Sequence, residues 1–212
     1  MYNSGSRNKP ESDSLKRAIQ CFRARKGYAT TGSLKESGVH SRTLVKLLDA
    51  GLVVRIKPGL YRLKELSDND YVSYVDVCTA VRTGVICLLS SADYYGLSTF
   101  TPKRVHVAIP HDYKRPVVEL PPTKFFMFRE RSYSLGIETV DTEIGSFKIY
   151  NREKTVCDLF RMRKRMGEDI AIESLKNYLI STNNNVVSLM KYAEALHVQN
   201  LLLPLIKGMV NA

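Results

Sequence analysis

The sequence predicts an α+β protein with a small domain over residues 14–66 and a larger mixed α+β domain over residues 70–212. The first part combines helical spacing of apolar residues with a β-hairpin pattern, and the second mixes strand-like and helical segments and ends in helices. An acidic, polar stretch, ELSDNDY, separates them. Residues 1–13 are polar and predict a flexible tail.

Composition restricts the class of protein. A chain of 212 residues suits two domains, and a hydrophobic share of 44% predicts packed cores. No apolar run approaches the roughly 18 residues that cross a bilayer, and the polar N-terminus lacks the apolar segment of a secretory signal. The four cysteines have no paired spacing, which favours buried thiols over a metal or redox site. We therefore expect a soluble cytoplasmic protein that does not contact a membrane.

The first predicted helix lies in SLKRAIQCFRARKG. Leu15, Ile19 and Phe22 recur at helical spacing, so they form one apolar face. Asp13 or Ser14 can cap its start.

Two further helices follow within a few residues of each other. The second lies in TTGSLKES, begins near Thr31 and is stopped by Gly38. The third lies in HSRTLVKLLDAG, with Ser41 as its cap and Gly51 as its stop. Its inward stripe consists of Leu44, Leu47 and Leu48.

The segments LVVRI and LYRL have strand composition, and a Lys-Pro-Gly turn at 57–59 joins them. Three short helices and a hairpin are typical of a winged helix-turn-helix, in which the third helix enters the major groove and the hairpin, or wing, contacts the backbone. The residues that we predict to approach base edges lie at the start of the third helix: Ser41, Arg42, Thr43 and Lys46. The predicted phosphate contacts are Lys35, Arg55, Lys57 and Arg62.

Positive charge is concentrated in the first domain. Residues 1–64 hold 14 Lys and Arg against 4 Asp and Glu, a net charge of +10 out of +11 for the whole chain. A concentrated positive surface attracts polyanions, so double-stranded DNA is the predicted partner. The alternative is that the module binds proteins and that its charged face is only solvated.

The second domain lacks recognisable catalytic motifs. Strand patterns occur in RVHVAIP, TKFFMFRE and GSFKIYN, whereas the chain beyond Asn151 is helical. Ser91 is predicted as a helix cap rather than a nucleophile, and His106 points away from its neighbouring valines without metal-ligand partners. Phosphate-binding glycine loops are absent. We therefore expect no metal, no cofactor and no enzymatic activity.

The segment RMRKRMG crowds four cations into one to two helical turns: Arg161, Arg163, Lys164 and Arg165. Arg161, Lys164 and Arg165 can share one helix face, so this face is a candidate second contact for nucleic acid or for an acidic partner. The alternative is a solvated basic face that Glu168 and Asp169 partly neutralise.

Three segments together resemble the AbiEi family, antitoxins of abortive-infection, type IV toxin–antitoxin systems. They are TTGSLKESGVHSRTLVKLLDAGLVVRIKPGLYRL, SSADYYGLSTFTPKRVHVAIP and GSFKIYNREKTVCDLFRMRKRMGEDIAIESLKNYL, which follow in the family's order and cover roughly residues 15–180. Tyr95 stands where the family has histidine, so no role is carried over to that position.

The resemblance implies two roles. The first domain would bind repeats in its own promoter and repress a toxin–antitoxin operon, and the second would neutralise a nucleotidyltransferase-like toxin, without a need for stable direct contact. Two alternatives stay open: a stand-alone regulator whose second domain senses a ligand or dimerises, and an enzyme acting on nucleic acid or nucleotides that the winged helix targets.

Overall fold

The structure, a computed structural model, describes residues 9–210 and the side chains of residues 13–209. Most of the predicted tail, residues 1–8, lies outside the described residues. The chain forms two compact units. Unit 1 comprises the described residues up to Ala80 with Val117–Pro121 and Asp141–Ser146, and unit 2 comprises the rest. Within the described part of the chain, no helix is both long enough and apolar enough to cross a membrane.

Unit 1 contains the predicted winged helix. Its elements are α1 (Lys9–Arg23), β1 (Tyr28–Thr30), α2 (Thr31–Glu36), α3 (Ser41–Asp49), β2 (Val53–Lys57), β3 (Leu60–Leu63), a 3₁₀ turn (Lys64–Asp68) and α4 (Val72–Ala80). The three strands form an antiparallel sheet in the order β1-β3-β2.

The apolar stripes pack as the sequence predicts. Phe22 of α1, Leu34 of α2 and Leu47 of α3 are almost completely buried in one hydrophobic cluster. Helix α2 carries a capping box between Thr30 and Ser33 that satisfies backbone N–H groups at its start. Gly38 and Gly51 follow α2 and α3 with φ of 70° and 65°, a left-handed conformation that favours glycine.

Three local details of unit 1 differ from the prediction. Strand β1 is too short, at three residues, to give a periodic signal. Helix α1 begins at Lys9 instead of Asp13 or Ser14. Pro10 is tolerated in its first turn, because a backbone N–H there would have no partner within the helix. Helix α3 is preceded by His40 in an extended conformation, so Ser41 is its first helical residue and not its cap.

Unit 1 extends past the predicted boundary at 66–70 because α4 and a distant segment pack onto the winged helix. Tyr28 and Arg62 both bond to Asp76 of α4. The backbone N–H groups of Glu119 and Leu120 both donate to the carbonyl of Ile56, at 2.8 and 3.2 Å, which covers the open edge of β2.

A second sheet has the order β6-β5-β4-β8-β7, with β4 antiparallel to β5 and parallel to β8, and β5 parallel to β6. Its strands are β4 (Val85–Ile86), β5 (Val105–Pro110), β6 (Thr123–Phe128), β7 (Ile137–Thr142) and β8 (Gly145–Tyr150). The remaining helices are α5 (Leu88–Tyr94), α6 (Glu130–Tyr133), α7 (Arg152–Arg161), α8 (Arg163–Met166), α9 (Glu168–Ile180), α10 (Val186–Ala195) and α11 (Gln199–Val210). The fold is therefore α+β, with a helical C-terminal part, as predicted.

The core of unit 2 forms around α7. Val156, Leu159 and Phe160 are buried in a cluster to which α5, α9, α10 and α11 also contribute. The predicted cap at Ser91 is wrong, because α5 begins at Leu88 and places Ser91 inside the helix. There its hydroxyl donates to the Leu88 carbonyl and bonds to Thr155. Ser91 is therefore a buried structural residue.

Candidate nucleic-acid interface

The start of α3 presents an exposed basic face, which we call the α3 face and define as Ser41, Arg42 and Lys46. All three residues are exposed, and Arg42 and Lys46 share a side of the helix because they are four residues apart. Leu44 and Leu47 face the core, so they fix the rotation of α3. The structure therefore places three of the four residues predicted for base contact together on one surface.

An open groove of about 770 Å³ adjoins the α3 face. Its lining includes Ser14, His40, Ser41, Arg42 and Lys46. His40 makes no side-chain hydrogen bond to the first turn of α3. Backbone N–H groups at a helix start attract anions, and Arg42 in the first turn, with Lys46 one turn further on, adds positive charge to that field. The groove is therefore suited to phosphate or to electronegative base edges.

Thr43 is the exception among the residues predicted for base contact. Its side chain is 9% exposed, and its hydroxyl lies 2.8 Å from the hydroxyl of Ser14. This bond joins α1 to α3, so the hydroxyl is already used within the protein. Thr43 also lines the groove, so its approach to base edges stays a prediction, although its hydroxyl already bonds to Ser14.

Arg62 is also a structural residue. Arg62 is 5% exposed, and its Nε lies 2.9 Å from a carboxylate oxygen of Asp76. The hydroxyl of Tyr28 donates to the same oxygen at 2.7 Å. Burial raises the pKa of Asp76, and Arg62 and Tyr28 oppose that rise by stabilising the carboxylate. This buried pairing contradicts the predicted phosphate contact of Arg62.

The other two predicted cations of the wing, which is the β2–β3 hairpin, also have internal partners. Arg55 forms an ion pair with Glu119 at 2.7 Å, with 52% and 33% of the two side chains exposed. The ammonium group of Lys57 donates to the carbonyl of Ala80 at 2.5 Å. Both cations must exchange or share these partners before they neutralise phosphate. Lys35, by contrast, is exposed near the end of α2.

The basic segment of unit 2 is divided by a break in the helix. Helix α7 ends at Arg161 and α8 begins at Arg163, so Arg161, Lys164 and Arg165 do not lie on one continuous helix face as predicted. Arg161 pairs with the buried Asp158 at 2.9 Å, and Arg163 lies 3.6 Å from Glu168. Lys164 and Arg165 are the exposed members.

Buried charges beneath this segment explain why Arg161 is held in place. The ammonium group of Lys154, which is fully buried, bonds to Asp158, and it lies 4.0 Å from the ring centroid of Tyr150. Burial lowers the pKa of Lys154, while the carboxylate of Asp158 opposes that change. Two cations thus share the single carboxylate of Asp158. Residues 154–158 of the REKTVCD stretch are therefore part of the core, whereas Arg152 and Glu153 are partly exposed.

Sequence reasoning missed a third set of cations, in unit 2, around an open pocket. Lys103, Arg104 and Lys124 line it together with Arg165. Lys103 and Arg104 come directly before the buried strand β5, so the sequence alone indicates only that they lie at the start of a strand. However, only the pairing of β5 with β6 brings Lys124 beside it.

Comparisons with known proteins agree with the fold and with the nature of the first unit. The model of a family described as "Transcriptional regulator, AbiEi antitoxin" matches residues 16–64. No curated protein matches the chain. A solved structure, the crystal structure of the RV2827C protein from Mycobacterium tuberculosis, aligns with a TM-score of 0.60 over 89% of this chain and 76% of that one. Its 11% identity makes this a similarity of fold alone.

The family match covers the helix-turn-helix and the wing and includes the α3 face. The resemblance predicted from the N-terminal segment is confirmed by it. Residues 16–64 therefore match the AbiEi antitoxin family of transcriptional regulators.

Proposed function

We propose that the protein is a DNA-binding autorepressor and the antitoxin of a type IV toxin–antitoxin system, without enzymatic activity. Unit 1 binds duplex DNA in the promoter of its own operon, with the first turn of α3 in the major groove. The observation that carries this proposal is the α3 face: two exposed cations one turn apart, beside the uncapped start of a helix.

The charges of the α3 face have distinct roles in this proposal. Arg42 lies in the first turn of α3, where side chains reach base edges, and a guanidinium recognises guanine through two hydrogen bonds. Lys46 and Lys35 neutralise phosphate and set the register without reading sequence. Arg55 and Lys57 are secondary contacts that engage DNA only after they release Glu119 and the Ala80 carbonyl.

The absence of enzymatic activity is part of the proposal and is supported by how the carboxylates are used. Asp76 bonds to Arg62 and Tyr28, and Asp158 bonds to Lys154 and Arg161. A carboxylate that acts as general acid or base must be able to reach substrate. These two acids serve the core instead.

DNA binding is tested by fluorescence anisotropy with the promoter fragment and a shuffled fragment of equal length. We expect the double variant Arg42→Ala, Lys46→Ala to lose promoter preference. Lys64→Ala is the matched control, because it removes an exposed charge near Leu52, beyond the other end of α3. Equal binding of wild type to both fragments, or an equal loss in the control, would reject the assignment.

The antitoxin role is tested by co-expression with the neighbouring gene. We expect growth arrest by a nucleotidyltransferase-like neighbour to be relieved by the wild-type chain. The double variant of the α3 face separates the two roles, because repression should fail while rescue persists when both proteins are expressed from foreign promoters. Failure of the wild-type chain to rescue would exclude the antitoxin role and favour a stand-alone regulator.

A further inference from the structure

Unit 2 contains an open pocket that the DNA-binding proposal does not use. We call it the basic pocket; its volume is about 450 Å³, within the usual range for small-molecule sites. Four separate stretches of chain form it: the start of α5, the segment before and into β5, strand β6, and the end of α8. Its floor and walls combine charged, aromatic and apolar side chains.

Four cations converge on the basic pocket: Lys103, Arg104, Lys124 and Arg165. Among the described side chains, those of residues 13–209, none of the four lies within salt-bridge distance of an acidic group. The guanidinium of Arg165 lies 5.5 Å, and the ammonium of Lys124 5.4 Å, from the ring centroid of Phe126. Two of the cations therefore lie within 6 Å of the same ring. Like charges collected without counter-charges repel one another, and a bound polyanion removes that cost.

His106 adds a polar group to the pocket wall without adding charge. His106 is 6% exposed. Burial lowers its pKa to about 4, and the nearby positive charge of Lys124 adds to this effect. The imidazole is therefore neutral at physiological pH. Its Nδ1 has no hydrogen-bond partner among the described residues. A buried polar atom without a partner costs free energy, and a ligand that bonds to it would recover that cost.

The remaining lining is apolar and includes one exposed ring. Phe100 has 46% of its surface exposed, and Leu89, Pro102 and Met166 line the same pocket. An exposed phenyl ring next to a group of cations is suited to a ligand that joins a planar ring to several negative charges.

We propose that the basic pocket binds a nucleotide with two or more phosphates, the phosphates on the four cations and the base against Phe100. The recessed imidazole of His106 distinguishes the pocket from a surface that follows a DNA backbone, since a duplex presents its phosphates on a convex surface. The inference goes beyond the proposed function, and unit 2 would bind this ligand whether or not α3 binds DNA.

Isothermal titration of the full chain with ATP, GTP, pyrophosphate and adenosine tests this site at 150 mM salt. We expect saturable binding of a nucleoside triphosphate with a Kd below about 1 mM, and none of adenosine. Arg104→Glu should weaken nucleotide binding at least about tenfold. Lys191→Glu, which reverses an exposed charge on α10, is the matched control and should leave it unchanged.

Phe100→Ala separates the two halves of the proposed ligand. It should weaken triphosphate binding severalfold and leave pyrophosphate binding unchanged, because only the nucleotide has a base to contact the ring. The proposal would be overturned if neither ATP nor GTP bound to the protein. It would also be overturned if Arg104→Glu and Lys191→Glu weakened nucleotide binding equally. Complete displacement of nucleotide by a stoichiometric 20-base-pair duplex of shuffled sequence would overturn it as well, because that result would assign the pocket to a DNA surface.

Discussion

The α3 face and the wing are similarly basic in sequence, yet the structure uses their charges differently. Arg42 is exposed on α3, whereas Arg62 of the wing is buried against Asp76 and Arg55 is paired with Glu119. A cation that already has a partner gains less from phosphate, because it must first give up that partner. The number of cations in a segment is therefore a poor guide to how many can bind DNA.

The largest expected effect concerns the buried pair of the wing. Asp76→Ala should lower the free energy of unfolding by about 3–5 kcal/mol, because it leaves the charge of Arg62 buried and the hydroxyl of Tyr28 without an acceptor. Urea denaturation followed by circular dichroism measures this loss. A loss below 1 kcal/mol would mean that Arg62 reaches water, and it would restore Arg62 as a candidate phosphate contact.

The next effect concerns the α3 face. Arg42→Ala should weaken promoter binding by about 1–3 kcal/mol while binding to random DNA changes much less, because a base contact contributes only on the correct sequence. Anisotropy titrations on the two fragments measure the difference. Equal losses on both would reduce Arg42 to a phosphate contact.

A smaller effect distinguishes the lysines of the two regions. Lys46→Ala should reduce the slope of log K against log salt by about 0.9, the value for one phosphate contact. Lys57→Ala should reduce it less, because Lys57 is only partly exposed whereas Lys46 is exposed. Titrations at four salt concentrations give both slopes. If Lys57→Ala gives the larger reduction, the wing contacts DNA directly and the comparison is reversed.

The smallest effect is expected at the exposed pair of the wing. Glu119→Ala should change the free energy of unfolding by less than about 1 kcal/mol, since the Arg55–Glu119 pair is partly exposed. It should also strengthen nonspecific DNA binding slightly by releasing Arg55. Urea denaturation and binding to random DNA test the two parts, and weaker DNA binding would argue against any role for Arg55.

Local signals predicted the helix-turn-helix well. The positive φ of Gly38 and Gly51 is a backbone requirement that glycine meets at low cost, and the leucine stripe of α3 determines which side faces solvent. The exposed positions of Arg42 and Lys46 follow from that stripe. These features depend on residues within a few positions of each other, so one sequence is enough to find them.

Long-range partners could not be predicted. Asp76 lies fourteen residues after Arg62, and Glu119 lies 64 residues after Arg55, so no local pattern indicates either pair. The break at Met162 is also unmarked by glycine or proline, which is why the basic segment resembled one continuous helix. The basic pocket depends on the pairing of β5 with β6, which the sequence does not specify.

The central claim, that the start of α3 reads bases, is tested most directly by combining protein and operator changes. Each base pair of one operator half-site is substituted in turn, and binding is measured for wild type and for Arg42→Ala. The account predicts that one or two adjacent substitutions cost wild type about 1–3 kcal/mol and cost the variant almost nothing, because the lost contact is the same one. Equal losses for both proteins at every position would contradict the claim.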